Sequence, residues 1–209
     1  MVIFQLLFFT LTLIGPSLWG SAITSHATVY FSPEDPLEKR LIELIEKETS
    51  SIYVCIYTFS HRPISKALIE AHKRGVEVAV VVDRFSVKPK SSLQNLSEAG
   101  IPVYVWDPVK RKQVQRPLMH NKFCVFGSDT VWTGSFDFNE VSKLHQENAI
   151  VLQNAALASA YKGQFHTIKL RSCIPLTSYM TLKPKRITSR QKNKSFSTAS
   201  GGKFPKNRS

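Results

Sequence analysis

Residues 119–126 read MHNKFCVF and are followed by TGS at residues 133–135, and these two stretches decide how the rest of the chain is interpreted. The first is typical of a β-strand, and the second marks a turn after the next strand. Because side chains at positions i and i+2 of a strand point to the same face, His120 and Lys122 should project into one pocket. An imidazole beside a fixed positive charge suits chemistry on a phosphate group.

The chain is strongly basic, and its charge is unevenly distributed. With 28 Lys and Arg against 15 Asp and Glu, the formal net charge of the 209 residues is +13, which favours an anionic partner such as nucleic acid or phospholipid. Nine of the basic residues and none of the acidic ones lie in residues 183–209. Residues 179–209 are therefore predicted to form a basic, disordered tail that adds non-specific affinity for nucleic acid or anionic lipid.

Residues 1–22 predict either a signal peptide or an uncleaved membrane anchor. Residues 2–14 are almost wholly apolar, Pro16 follows, and the small residues at 20–22 offer a cleavage site. Export, to the periplasm or out of the cell, is the favoured interpretation. The alternative is membrane association through the amino terminus, because the apolar stretch could extend to Trp19 and is then just long enough to span a bilayer.

Residues 27–172 alternate between strand and helix patterns. This alternation predicts one α/β domain, an α-β-α sandwich around a mixed β-sheet. The predicted strands lie at residues 29–31, 51–59, 76–82 and 101–106, on both sides of a turn at 127–129, and at 148–152. The predicted helices follow Ser32, cover 64–71, run through 93–96, form a short turn near Glu140, and end with an amphipathic helix at 157–170.

The three cysteines predict neither a metal site nor a disulfide framework. Their number is odd and no C-x-x-C spacing occurs. Cys55 and Cys124 lie within apolar strand patterns, where a buried free thiol is expected. One disulfide stays open as an alternative for an exported protein.

An ordered series of motifs over residues 27–170 resembles the phospholipase D superfamily, whose signature is H-x-K-x4-D followed by Gly-Ser. The single H-x-K motif is most similar to the small secreted bacterial nucleases called Nuc. The matching segments are FSP at 31–33, YTF at 57–59, AL at 67–68, RGV at 74–76, Asp83, GIPV at 100–103, TGSF at 133–136 and QEN at 146–148.

The resemblance implies roles for individual side chains. His120 would attack phosphorus and form a phosphohistidine, which water then hydrolyses, and a second histidine would serve as acid and base. Lys122 and Ser135 would bind the non-bridging phosphate oxygens. Glu147 would accept a hydrogen bond from the far nitrogen of His120 and fix its tautomer. The resemblance implies neither a metal nor another cofactor.

Two positions depart from the family pattern. The signature aspartate falls at Gly127, and the nearest carboxylate is Asp129. The family asparagine two residues after the serine is replaced by Asp137, whose charge would repel a phosphodiester. Asn139 lies close enough in sequence to take over phosphate binding. These positions raise the alternative of a degenerate site.

The mechanism needs two histidines, whereas the chain has one motif. A twofold homodimer would bring His120 and Lys122 of both subunits to one shared site. A basic loop precedes His120 and is expected to contact the substrate backbone. Its basic residues are Lys110, Arg111, Lys112 and Arg116.

Three functions are consistent with these features. The first is a metal-independent phosphodiesterase that acts as a non-specific endonuclease on DNA or RNA. The second is a phospholipase D that acts on an anionic phospholipid such as cardiolipin, although the mitochondrial cardiolipin-hydrolase branch has a Cys/His zinc insert with no counterpart in this sequence. The third is a degenerate dimer that binds nucleic acid without cleaving it.

Overall fold

The computed structural model describes residues 25–108 and 117–182. The predicted leader at residues 1–22 lies outside the described residues, as do residues 183–209 of the predicted tail. The four basic residues of the predicted substrate loop also lie outside them; these are Lys110, Arg111, Lys112 and Arg116.

The described residues form eight strands and five α-helices, which alternate along most of the chain. The strands are β1 (His26–Ser32), β2 (Ser51–Ile56), β3 (Glu77–Asp83), β4 (Val103–Trp106), β5 (Lys122–Phe126), β6 (Thr130–Gly134), β7 (Glu147–Gln153) and β8 (Cys173–Pro175). The helices are α1 (Leu37–Lys47), α2 (Arg62–Lys73), α3 (Ser92–Glu98), α4 (Ala155–Ser172) and α5 (Leu176–Leu182). Single 3₁₀ turns occur at Arg84–Ser86 and Ser142–Leu144.

All eight strands join one mixed sheet in the order β1-β7-β6-β5-β2-β3-β4-β8. The β2, β3 and β4 strands are parallel, because helices connect them, whereas the other neighbours pair antiparallel. The prediction of a mixed sheet is confirmed.

Helices cover both faces of the sheet, which confirms the predicted α-β-α sandwich. Apolar side chains of α1, α2, α3 and α5 pack against one face, together with Val54 and Ile56 of β2. Helix α4 packs against the other face, over Tyr53 and Cys55. Every residue of β2 is buried, as expected for a strand enclosed on both faces. Among the described helices, none is long and apolar enough to cross a membrane.

Helix α4 is longer and less regular than the sequence predicts. Its first turn is capped by Asn154, whose side chain accepts a hydrogen bond from the Leu157 backbone amide at 3.0 Å. Phe165 is buried against the sheet, but Leu157 and Leu170 are 41% and 82% exposed. The prediction of an amphipathic helix is therefore wrong for α4, because its apolar residues are spread around the helix.

The folded domain continues beyond residue 172, where it was predicted to end. Strand β8 pairs with β4, with Cys173 opposite Trp106. In α5, Leu176 and Tyr179 are both 5% exposed and join the core on the face covered by α1–α3. Residues 179–182 are thus helical rather than part of a disordered tail. Two apolar side chains one helical turn apart are enough to attach this short segment.

The prediction of buried free thiols for Cys55 and Cys124 is confirmed. Cys55 and Cys124 are buried and free, and Cys173 is partly buried and free. Burial raises the pKa of the Cys55 thiol well above its usual range and that of Cys173 to about 12. These thiols stay protonated at neutral pH and are poor nucleophiles.

Replacement of Leu176 tests whether β8 and α5 belong to the folded domain. Leu176→Ala should lower the free energy of unfolding by about 2–5 kcal/mol, because it leaves a cavity in the core. The measurement is urea denaturation followed by circular dichroism. Leu182→Ala, at a leucine that is 69% exposed, is the matched control and should change stability by less than about 0.5 kcal/mol. Equal stability of both variants would contradict the extended domain boundary.

Candidate active site

One end of the sheet, where some strands finish and their neighbours begin, brings together side chains that are far apart in sequence. Strand β2 finishes at this end of the sheet with Ile56, which lies opposite Lys122 at the start of β5. Strand β1 also ends there, with Ser32 opposite Glu147 at the start of β7. Because antiparallel neighbours start where their partners end, the residues just outside β1, β2, β5, β6 and β7 share one surface.

A buried aspartate anchors the segment that carries His120. Asp83 ends β3 and is completely buried. Its Oδ2 accepts a hydrogen bond from the Met119 backbone amide at 2.8 Å, and its Oδ1 accepts one from the Phe85 amide at 2.9 Å. Hydrogen bonds to a buried carboxylate are strong. The backbone next to His120 is therefore held by a residue that lies 37 positions earlier in the chain.

His120 and Lys122 converge on one point, as the sequence predicts. The distance from His120 Nε2 to Lys122 Nζ is 3.5 Å. Strand β5 begins only at Lys122, so His120 precedes the strand, but the two side chains still meet. The Tyr57 ring lies 4.5 Å from the His120 ring, and Lys122 Nζ lies 5.3 Å from the Tyr57 ring centroid. His120 is exposed to solvent, so a substrate can reach its imidazole.

Asp137 occupies the same site and is not turned away from it. Its Oδ2 lies 3.5 Å from Lys122 Nζ, and the two side chains are only 16% and 10% exposed. Its Oδ1 accepts a hydrogen bond from the Thr58 backbone amide at 2.9 Å. The departure from the family pattern at this position thus places a carboxylate in direct contact with the lysine that is expected to bind phosphate.

Ser135 and Glu147 form a second polar group at the same end of the sheet. The Ser135 hydroxyl donates to the Glu147 carboxylate, and it accepts a hydrogen bond from the Asn148 backbone amide at 3.0 Å. Gly134 makes this approach possible, since a Cβ there would lie 2.2 Å from the Asn148 carbonyl oxygen. Within the described single chain, no hydrogen bond joins Glu147 to His120. The contact implied for Glu147 by the resemblance is thus not made inside one subunit.

Asn139 has a structural role, so the expectation that it binds phosphate is revised. Its side-chain amide donates to Thr58 Oγ1 at 3.0 Å. Its side-chain oxygen accepts hydrogen bonds from the Val141 and Ser142 amides, at 3.1 and 2.9 Å, and from the Ser142 hydroxyl at 3.0 Å. Both ends of the side chain are therefore engaged in holding the loop that leads to the 3₁₀ turn.

Gly127 and Asp129 lie at the opposite end of the sheet, at the far ends of the same strands. They belong to the turn between β5 and β6, and Gly127 is five residues beyond Lys122, which is roughly 17 Å along a strand. Gly127 has a φ of +54°, a conformation that favours glycine. The Asp129 side chain accepts a hydrogen bond from Thr130 Oγ1 at 2.8 Å and contacts no residue of the site. The change at Gly127 is thus a change in turn structure.

Three residues of the site had no role assigned from the sequence. They are Tyr57, Thr58 and Asp83, and each lies where a buried strand ends. Their location at the ends of apolar strand patterns could have identified them, because the ends of neighbouring strands lie side by side. Within the described ranges, no group of three His, Cys, Asp or Glu side chains is arranged to hold a metal ion.

Comparison with known proteins identifies the family of the chain. The family model described as "Cardiolipin synthase, PLD-like domain" matches residues 41–169. A phospholipase D of Rickettsia prowazekii (strain Madrid E) is 34% identical over 150 residues, which cover 71% of this chain and 70% of the relative. A mitochondrial cardiolipin hydrolase of Xenopus tropicalis is 28% identical over 136 residues, covering 64% of this chain and 61% of the relative.

Solved structures show the same fold. The phospholipase D family member Nuc from Salmonella typhimurium superimposes with a TM-score of 0.64 and 27% identity, covering 73% of this chain and 98% of that one. NucT from Helicobacter pylori gives a TM-score of 0.66 at 20% identity, covering 73% of this chain and 99% of that one. With the family model matching more than half of the residues, the chain belongs to the phospholipase D superfamily of phosphodiesterases.

Proposed function

We propose that this protein hydrolyses phosphodiester bonds through a phosphohistidine formed on His120. The observation that carries this proposal is the exposed imidazole of His120 with its Nε2 only 3.5 Å from Lys122 Nζ. A phosphate bound to the ammonium would place its phosphorus beside the ring nitrogen. Positioning of this kind removes much of the entropic cost of attack.

The reaction proceeds in two displacements at phosphorus. In the first, His120 Nε2 forms a bond to phosphorus and the bond to the leaving oxygen breaks, while a second imidazole gives that oxygen a proton. In the second, the same imidazole takes a proton from water, whose oxygen replaces His120 on phosphorus. Lys122 offsets the charge on the non-bridging oxygens in both steps. Ser135 has one hydroxyl proton, which it donates to Glu147 in this structure, so it would donate to one of these oxygens only after leaving Glu147.

A second copy of the chain supplies the second imidazole. The other five histidines have no lysine two residues later, and His61, for example, is completely buried. Strand β1 lies at the edge of the sheet and leaves Val29 and Phe31 47% and 56% exposed, beside Ile150 of β7. This apolar surface begins beside Ser32, which lies opposite Glu147 of the site, and it fits contact with a twofold partner.

We propose nucleic acid as the substrate, cleaved with little sequence preference. The formal charge of +13 gives the chain a general attraction for phosphate backbones. The His120 imidazole is exposed, so a phosphodiester within a polymer can reach it. Fixed cations such as Lys122 contact phosphates rather than bases, so they carry no sequence information.

Cleavage of plasmid, single-stranded DNA and RNA in the presence of EDTA tests the activity. The wild-type protein should cleave, whereas His120→Ala should lose activity by roughly a thousandfold or more, because it removes the nucleophile. Lys122→Ala should lose roughly a hundredfold. The exposed His26, at the start of β1 and opposite Gln153, provides a control, and His26→Ala should retain wild-type activity. Wild-type rates in His120→Ala would exclude the proposed mechanism.

The oligomeric state tests the shared site. Phe31→Glu should convert a dimer into a monomer in analytical ultracentrifugation and should abolish cleavage at the same time, because one chain holds half of the machinery. Leu182→Glu introduces the same charge at an exposed leucine of α5, packed on the other face of the sheet. It should stay dimeric and active. An active monomer of the wild-type chain would be incompatible with the proposed dimer.

Phospholipid is the second candidate substrate, and a specific observation favours it. Four exposed apolar side chains surround the site: Phe85, Leu118, Val141 and Leu144, which are 57%, 42%, 56% and 73% exposed. Phe85 lies 6.5 Å from the Tyr57 ring, and Leu118 precedes the anchored Met119. Apolar side chains around a polar site are typical of proteins that act at a lipid surface.

Hydrolysis of labelled cardiolipin vesicles distinguishes the two substrates. If lipid is the substrate, the wild type releases phosphatidic acid, and Leu144→Ser lowers the rate on vesicles more than the rate on a small soluble diester. Leu182→Ser, at a comparably exposed position, should leave both rates unchanged. DNA cleavage without lipid hydrolysis supports the first candidate. Salt-dependent DNA binding without turnover of any diester would instead indicate a degenerate binding protein.

A further inference from the structure

The ion pair between Asp137 and Lys122 limits how much negative charge the site can accept. Asp137 Oδ2 lies 3.5 Å from Lys122 Nζ, and both side chains are largely shielded from solvent. At this distance and degree of burial, the negative charge of the carboxylate interacts strongly with other charges in the site. It draws on the same ammonium that a bound phosphate would use, and it repels the phosphate directly.

Two contacts hold Asp137 in the site. The Thr58 backbone amide donates to Oδ1 at 2.9 Å, while Oδ2 faces Lys122, so the carboxylate would have to give up both contacts to leave. Among the described residues, the charged and titratable groups that face this part of the site are Lys122 from β5, His120, and Tyr57 after β2, whose ring contacts both. Asp137 is thus a permanent component of the electrostatic field at the phosphate position.

The reactant and the product of diester hydrolysis differ in charge. A phosphodiester carries one negative charge at neutral pH, whereas a phosphomonoester carries about −1.5 to −2, because its second pKa is about 6. A fixed carboxylate therefore repels the product more strongly than the substrate. The expected consequence is faster product release and weak binding of phosphomonoesters.

We propose that Asp137 is a specificity-determining residue that makes the site discriminate a monoanionic phosphodiester from a dianionic phosphomonoester. This inference rests on the proposed function for its reaction but concerns binding, which can be measured without turnover. Asp137 would thereby select the charge of the ligand and limit inhibition by the product.

Binding of two small ligands to Asp137→Asn and wild type tests the proposal. Asparagine has the same shape, and its side-chain oxygen can still accept the hydrogen bond from Thr58. Diphenyl phosphate represents the diester and phenyl phosphate the monoester, with dissociation constants measured by calorimetry at pH 8. Asp137→Asn should bind phenyl phosphate roughly tenfold more tightly than wild type and diphenyl phosphate roughly threefold more tightly.

The pH dependence separates a charge effect from a structural one. At pH 5 phenyl phosphate carries close to one negative charge. The advantage of Asp137→Asn for the monoester should then shrink to that for the diester. Asp137→Glu, which keeps the charge, should retain the wild-type preference. Asp129→Asn makes the same substitution in the turn between β5 and β6, at the opposite end of the sheet, and should behave as wild type.

Three results would overturn the proposal. One is an unchanged ratio of monoester to diester affinity in Asp137→Asn, and another is an equal loss of affinity for both ligands. The third is failure of both ligands to bind either protein. If Asp137→Asn does not fold, Asp137→Ser is measured in its place, since its hydroxyl is also uncharged. A wild type that binds both ligands with the predicted preference but hydrolyses no diester would refute the proposed function alone.

Discussion

The antiparallel pairing of β2 with β5 is the constraint on which the site depends. It places Ile56 opposite Lys122, so the residues that follow β2 lie beside the residues that precede β5. Tyr57 thereby contacts His120, and Thr58 reaches Asp137. Both strands are buried almost throughout, and a shift of one residue would turn every apolar side chain to the wrong face. The apolar core therefore fixes the geometry of the polar site.

Much of the fold follows from the sequence, because the strand and helix patterns are strong and alternate regularly. The boundary at the carboxyl end does not follow, because β8 is a three-residue strand whose pairing with β4 depends on the finished sheet. Periodicity cannot reveal a segment this short. The sequence predicts the position of α4 but not the spread of its apolar residues, because a helix that covers a broad sheet with a few large side chains need not be amphipathic.

The site was predictable in part. His120 and Lys122 are two residues apart, so local geometry alone brings them together. Asp83 and Met119 are joined only by the sheet order, in which β3 lies beside β2 and β2 beside β5. The different roles of Asp137 and Asn139 could not be read from composition either. Both contact Thr58, but the backbone directs one towards Lys122 and the other into its own loop.

The sheet order also determines where the first and last described elements lie. Strand β1 forms one edge and β8, followed by α5, forms the other, and seven inter-strand spacings separate β1 from β8, or roughly 34 Å. If two subunits meet on the β1 side, β8 and α5 of each subunit lie far from the contact between them. Such a dimer would hold its two α5 helices far apart, on opposite sides of the assembly.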